Sequence, residues 1–131
     1  MRVVFAAFAA FALFAGPALA DDASDLAAAK AAIAGANLSD ASKLDMWCGA
    51  AYTAISEQMK QAGNAADAKS ASDSADAIFT KAAASLTTDG VKEADMAGLS
   101  TDYMAVVMSE ISTTPPTAEH SEADCKGVLA Q

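Results

Sequence analysis

Apolar positions recur every three or four residues along most of the chain, which is the period of a helix with one buried face. The strongest run is Ala41, Leu44, Cys48, Ala51, Ile55, Met59 and Ala62, widened by Trp47 and Tyr52. Ser39 precedes it as an N-cap, Asp40 lies where the helix dipole favours an anion, and Gly63-Asn64 ends it. A second helix is predicted from about Ala65 to Thr88, with the stripe Ala68, Ala71, Ala75, Ile78, Phe79, Ala82 and Leu86. The first half of that stripe is all Ala, so its neighbour must approach closely there, or that half is loosely held.

Asp89-Gly90 makes the next break. Val91, Met96, Leu99, Tyr103, Met104, Val107, Met108 and Ile111 form a third stripe, either one helix or two pieces divided near Gly98. Thr113-Thr114-Pro115-Pro116 stops it. Thr117 is then expected to cap a short last helix to about Ala130, carrying Cys125, Val128 and Leu129. Ahead of all these, residues 21–36 are Ala-rich with only Leu26 and Ile33 as large anchors, and read as a helix or a mobile arm.

Ala dominates, Pro occurs only at 17, 115 and 116, and β-branched runs are absent, all of which favour helix. The fold class is therefore all-α: a small up-and-down bundle of about four core helices over 37–131, plus the N-terminal arm. The long helices would each span about 32–36 Å. Short loops make neighbours antiparallel, which sets the first and fourth core helices side by side.

The first twenty residues follow a different pattern. Seventeen of them are apolar. Met1-Arg2 supplies a positive start, Val3 to Ala15 an unbroken apolar run, Gly16-Pro17 a break, and Ala18-Leu19-Ala20 the small residues of a cleavage site. This is the plan of a secretory signal peptide cleaved after Ala20, and the run is shorter than the roughly 20 residues that span a bilayer. The expected location is a bacterial periplasm or the medium, with no membrane association after cleavage. The leader also accounts for the positive mean hydropathy of +0.23. After residue 20 the chain holds 28 Ala and only 23 larger hydrophobes.

Charge narrows the partners. The whole chain carries −9, and −10 without Arg2. The remaining bases are scattered Lys, whereas nucleic-acid binding needs them clustered, so no nucleic-acid partner is expected.

Cys48 and Cys125 are the only cysteines. An even count in an exported chain predicts a disulfide. Closing a loop of this length is worth roughly 4–5 kcal/mol in the chain-entropy model. A Cys-x-x-Cys redox pair is absent.

Candidate chemistry is sparse. His120 is the only His, in the charged stretch Glu119-His120-Ser121-Glu122-Ala123-Asp124, and no Gly-x-Ser-x-Gly elbow accompanies it. His120 and Asp124 would share a helix face, but zinc takes three or four ligands. Met96, Met104 and Met108 offer thioethers suited to copper(I), although Met at helical spacing is ordinarily core filler. An Ala-rich bundle leaves little room for a pocket of about 300 Å³. No catalytic residue, metal or cofactor is expected, and the chain reads as non-enzymatic.

The most distinctive string is Asp45-Met46-Trp47-Cys48-Gly49-Ala50-Ala51-Tyr52. Trp47 beside a bridged Cys is expected to pack in the core, with Trp47 and Tyr52 as core or partner anchors. In a small exported helical chain, Trp47-Cys48 resembles the periplasmic acid-stress chaperones over those few residues. The Cys separation here is longer than in that family, so membership is not assigned. The functional expectation is an exported interaction or envelope-stress module with a protein partner. The alternative is a periplasmic carrier of a metal or small ligand.

Overall fold

Ser39 does begin a helix, and its hydroxyl accepts from the Ser42 backbone N–H at 3.3 Å. The computed structural model describes residues 19–113 and 116–131. Apart from its last two positions, the leader expected at 1–20 lies outside the described residues, as do Thr114 and Pro115. Five helices make up the described chain: α1 (Leu19–Gly35), α2 (Asp40–Gln61), α3 (Ala65–Thr88), α4 (Glu93–Ser112) and α5 (Glu122–Leu129). The fold is an all-α bundle with one disulfide, and no strand occurs among the described residues. The arm at 21–36 is helical almost throughout, and the third stripe is a single helix.

Two helix ends are built alike. After α2, Gly63 N–H bonds to Lys60 C=O and Asn64 N–H to Met59 C=O, with Gly63 at φ 76°. After α3, Gly90 N–H bonds to Thr87 C=O and Val91 N–H to Leu86 C=O, with Gly90 at φ 83°. Both are Schellman closures, in which glycine takes a left-handed conformation that would strain other residues. Val91 is thereby folded back onto the core beside Leu86. The second closure also returns Asp89 to the start of α2, where its carboxylate accepts from Ser39 N–H at 2.9 Å and Ser39 Oγ at 3.0 Å. The end of α3 therefore meets the beginning of α2, and the two helices run antiparallel.

The α2–α3 pair is the principal seam. Ala68, Ala71, Ala75, Ile78, Ala82 and Leu86 are buried, as the sequence stripe predicts, while Phe79 stays half-buried. Each Ala methyl removes little area from water, and a fully buried Ile or Leu contributes about 1.5–3 kcal/mol. Small side chains do, however, let the backbones approach. Ser56 Oγ donates directly to Ala68 C=O at 2.9 Å. Gly49 lies against the Phe79 ring, so closely that a Cβ there would fall 2.8 Å from a ring carbon. The all-Ala half is thus held by close approach.

Three sequence expectations shift. Ala41 and Ala62 are exposed, and Ser42 is buried in place of Ala41. Ser42 tolerates burial because its hydroxyl is hydrogen-bonded to the Asp89 carboxylate, with Ser39 Oγ 3.1 Å away. On α4 the buried face is Leu99, Tyr103, Val106, Val107 and Ile111. Val106 joins it, and Met108 is 40% exposed because it lies a quarter turn beyond that face. The last helix starts at Glu122, four residues later than a Thr117 cap implies, and its cap is Ser121 and not Thr117. Thr117 N–H is taken instead by Glu110 C=O and the Thr113 hydroxyl.

α1 docks on α4. Ala29 is buried, Leu26 is half-buried and Ile33 packs against the core cluster, which are the two anchors the sequence offered plus one methyl between them.

Candidate functional site

α5 is only eight residues long and needs outside support. Cys125 is bridged to Cys48, with Cα atoms 5.3 Å apart. At its start, Ser121 and Asp124 form a reciprocal capping box. The hydroxyl and backbone N–H of Ser121 hold the Asp124 carboxyl below its usual range, with His120 adding a smaller pull. Asp89 is lowered likewise by the Ser42 hydroxyl and then by Ser39. Carboxyls depressed by the fold stabilise it above their ordinary pKa, and that support is lost as pH falls through the lowered values. At the other end of α5, Lys81 Nζ donates to Val128 C=O at 3.3 Å, a cation at the negative end of the helix dipole.

Trp47 is buried, as expected, and makes two directed contacts. Its indole Nε1–H donates to Glu110 Oε2 at 2.8 Å. Its ring meets His120 edge-on, with centroids 5.4 Å apart and planes at 78°. Such aromatic pairs contribute about 0.5–1.5 kcal/mol beyond area burial. The same Glu110 oxygen accepts from Glu119 N–H at 3.2 Å. Glu110 therefore ties α2, α4 and the segment ahead of α5 together. Its role depends on a meeting of residues 63 positions apart, and no local pattern in the sequence marks it.

These groups enclose a half-open cavity of about 240 Å³ beside the disulfide. Trp47, Ala51, Tyr52 and Ile55 form one wall, and their spacing puts them on one face of α2. Cys125 and Glu122 of α5 form a second wall. Pro116, Ala118 and His120 of the loop close the third. Tyr52 is half-buried, and burial raises its phenol pKa, with Glu122 adding to the effect and Lys126 opposing it. Glu122 is itself ion-paired with Lys126.

The structure thus brings together Trp47, Tyr52, Cys125 and His120, which the sequence singled out separately. It does not bring together the proposed metal donors. His120 precedes the α5 cap and shares no helix with Asp124, whose carboxylate is engaged by Ser121. Met96 and Met104 pack against the core while Met108 faces solvent. No group of three or more His, Cys, Asp or Glu placed to hold a metal occurs among the described residues. No described helix is long and apolar enough to cross a membrane.

The cavity of about 240 Å³ is smaller than the pocket of about 300 Å³ for which little room was expected, but a larger space lies elsewhere. An open groove of about 520 Å³ runs between α1, the α3–α4 turn and α4, lined on its sides by Ala32, Gly35, Asp95 and Gly98. It exists because α1 touches α4 through few large side chains. Comparison with protein-family models, with curated proteins and with solved structures finds no match.

Proposed function

We propose that this chain is a small exported, non-enzymatic helical interaction module, working in a bacterial periplasm or the medium, whose cavity receives an apolar group of a protein partner. The observation that carries the reading is the cavity of about 240 Å³ between Trp47, Tyr52 and Cys125. Two of its three walls come from helices joined covalently, which favours a pocket formed before a partner arrives and lowers the ordering entropy spent on binding. Aromatic anchors in a sheltered pocket are the common centre of protein interfaces. The leader pattern at 1–20 and the paired cysteines support the exported location.

A photo-crosslinking residue at Ala118, on the cavity wall, tests this in cells exporting the full-length chain. A second one at Asp73, on the exposed side of α3, is the control. The expected result is a discrete protein adduct from position 118 that is absent from position 73 and diminished by Ala51→Leu. No adduct at 118, or the same adducts from both positions, would overturn the reading.

A further inference from the structure

The cavity has the size and chemistry of one particular kind of occupant. A cavity of about 150 Å³ lined by aliphatic and aromatic side chains is enough to hold benzene. Drug-sized ligands occupy about 300–1,000 Å³. At about 240 Å³ the space beside Cys48–Cys125 falls between the two, room for a single ring with a small substituent. Most of the wall is carbon and sulfur, from Trp47, Ala51, Ile55, Pro116 and Cys125.

Two carboxylates at and behind the wall are already engaged. Glu122 is paired with Lys126, and Glu110 accepts from both Trp47 Nε1–H and Glu119 N–H. A charged ligand would therefore lose hydration in a largely apolar site, and a cationic one would meet carboxylates that already have partners, which is costly. An uncharged ring loses nothing comparable and gains dispersion and edge-to-face contacts with Trp47, Tyr52 and His120.

We propose that this cavity is a binding site for one compact, uncharged aromatic ring, presented either by a free small molecule or by a side chain of a partner. This deepens the proposed function and rests on its reading of the cavity as a recognition pocket.

Trp47 is the only Trp, so its indole N–H gives a single reporter signal at the site. Full-length mature protein labelled with ¹⁵N is titrated with toluene, p-cresol, N-acetyl-phenylalanine-N-methylamide, benzylamine and benzoate. The expected result is a saturable shift of the Trp47 signal with toluene and p-cresol, at least tenfold tighter than with benzylamine or benzoate. Ala51→Leu, which fills the cavity from α2, should weaken binding at least tenfold, whereas Ala83→Leu on the exposed side of α3 should not change it. Ala118→Phe fills the same space from the exposed loop and serves if Ala51→Leu fails to fold, as judged by its melting curve and intact disulfide.

No saturable shift, equal binding of the charged rings, or equal weakening by Ala83→Leu would overturn the proposal. The capped phenylalanine separates the two sources. If the free rings bind and it does not, the site serves a small molecule, and the protein-partner reading falls while the ring site stands. If position 118 crosslinks a partner and no ring binds, the ring site falls alone.

Discussion

The two halves of the bundle are held in opposite ways. The α2–α3 seam is long, antiparallel and rich in Ala, Gly and Ser, with Ile78 and Leu86 as the large fully buried side chains that α3 supplies. It gains its contact area by close approach over many residues. The α5 region is short and gains its position from discrete bonds: a disulfide, a capping box, Lys81 at its C-terminus and Glu110 beneath its loop. Distributed packing tolerates the loss of any one methyl. A region held by a few strong links fails when one of them is cut. The candidate site lies between the two, with one wall on α2 and the others on α5 and its loop. Its shape is therefore only as durable as the second kind of support.

Cutting the disulfide should give the largest effect. It is worth roughly 4–5 kcal/mol in the chain-entropy model, against about 5–15 kcal/mol for a whole domain. Reduction, or Cys48→Ala with Cys125→Ala, is expected to lower the melting temperature by more than about 10 °C. The contrast between the halves predicts more than a general loss. In hydrogen exchange, α5 amides should lose protection well before the buried amides of α2 and α3. Equal loss across all helices would mean that the two regions form one cooperative unit.

The next largest effect attacks the other half. Gly49→Val adds three carbons where even a Cβ would lie 2.8 Å from the Phe79 ring. Phe79 is half-buried and can rotate outward, so the cost is that of overpacking with relief, about 1–3 kcal/mol. Chemical denaturation measures it. A loss below about 0.5 kcal/mol would show that the α2–α3 approach is looser than the Gly49–Phe79 contact implies.

Glu110→Ala comes third. It leaves the Trp47 indole N–H without its acceptor and frees Glu119 N–H. Hydrogen bonds to charged groups are worth about 1.5–3 kcal/mol, and the bond here is only partly buried, so a loss of about 1–2 kcal/mol is expected. A red shift of Trp47 fluorescence should accompany it as the loop loosens and the indole wets. An unchanged spectrum would count against Glu110 as the link between α4 and the loop.

How far these links could be read from the sequence follows the same division. The α2 and α3 helices were legible because their stripes are dense and their ends are marked by Ser39, Gly63 and Gly90. Cys48–Cys125 was legible from the even count together with the leader-like pattern at 1–20. The start of α5 was not. Thr117 and Ser121 are both plausible caps, and the choice falls to Ser121 because Asp124, three residues on, completes the box while Thr117 is bound to α4. The Ser121-Glu122-Ala123-Asp124 string carries that signal. Glu110 carries none, since its partners come from another helix and from the loop. The cavity was missed because one of its walls is made by Pro116, Ala118 and His120, whose placement rests on long-range contacts such as that of Glu110 with Glu119 N–H.

The smallest effect at neutral pH, and the one that changes sign with conditions, is Tyr103→Phe. Tyr103 is 4% exposed, and its hydroxyl has no hydrogen-bond partner among the described residues. A buried unpaired hydroxyl costs stability, so its removal should be neutral or stabilising by up to about 1 kcal/mol at pH 7. Burial, with Glu119 adding to it, pushes its pKa up to about 12 from 10.0. The folded protein therefore keeps a proton that the unfolded chain releases at lower pH. Stability from this group is complete below about pH 10 and declines as pH rises through about 12. Denaturation at a series of alkaline pH values should show a shallower decline in Tyr103→Phe than in the parent, with the remainder owed in part to Tyr52, whose pKa is also raised. A cost above about 1 kcal/mol at pH 7 would mean that the Tyr103 hydroxyl is bonded in solution, and that α4 has a discrete polar link besides Glu110.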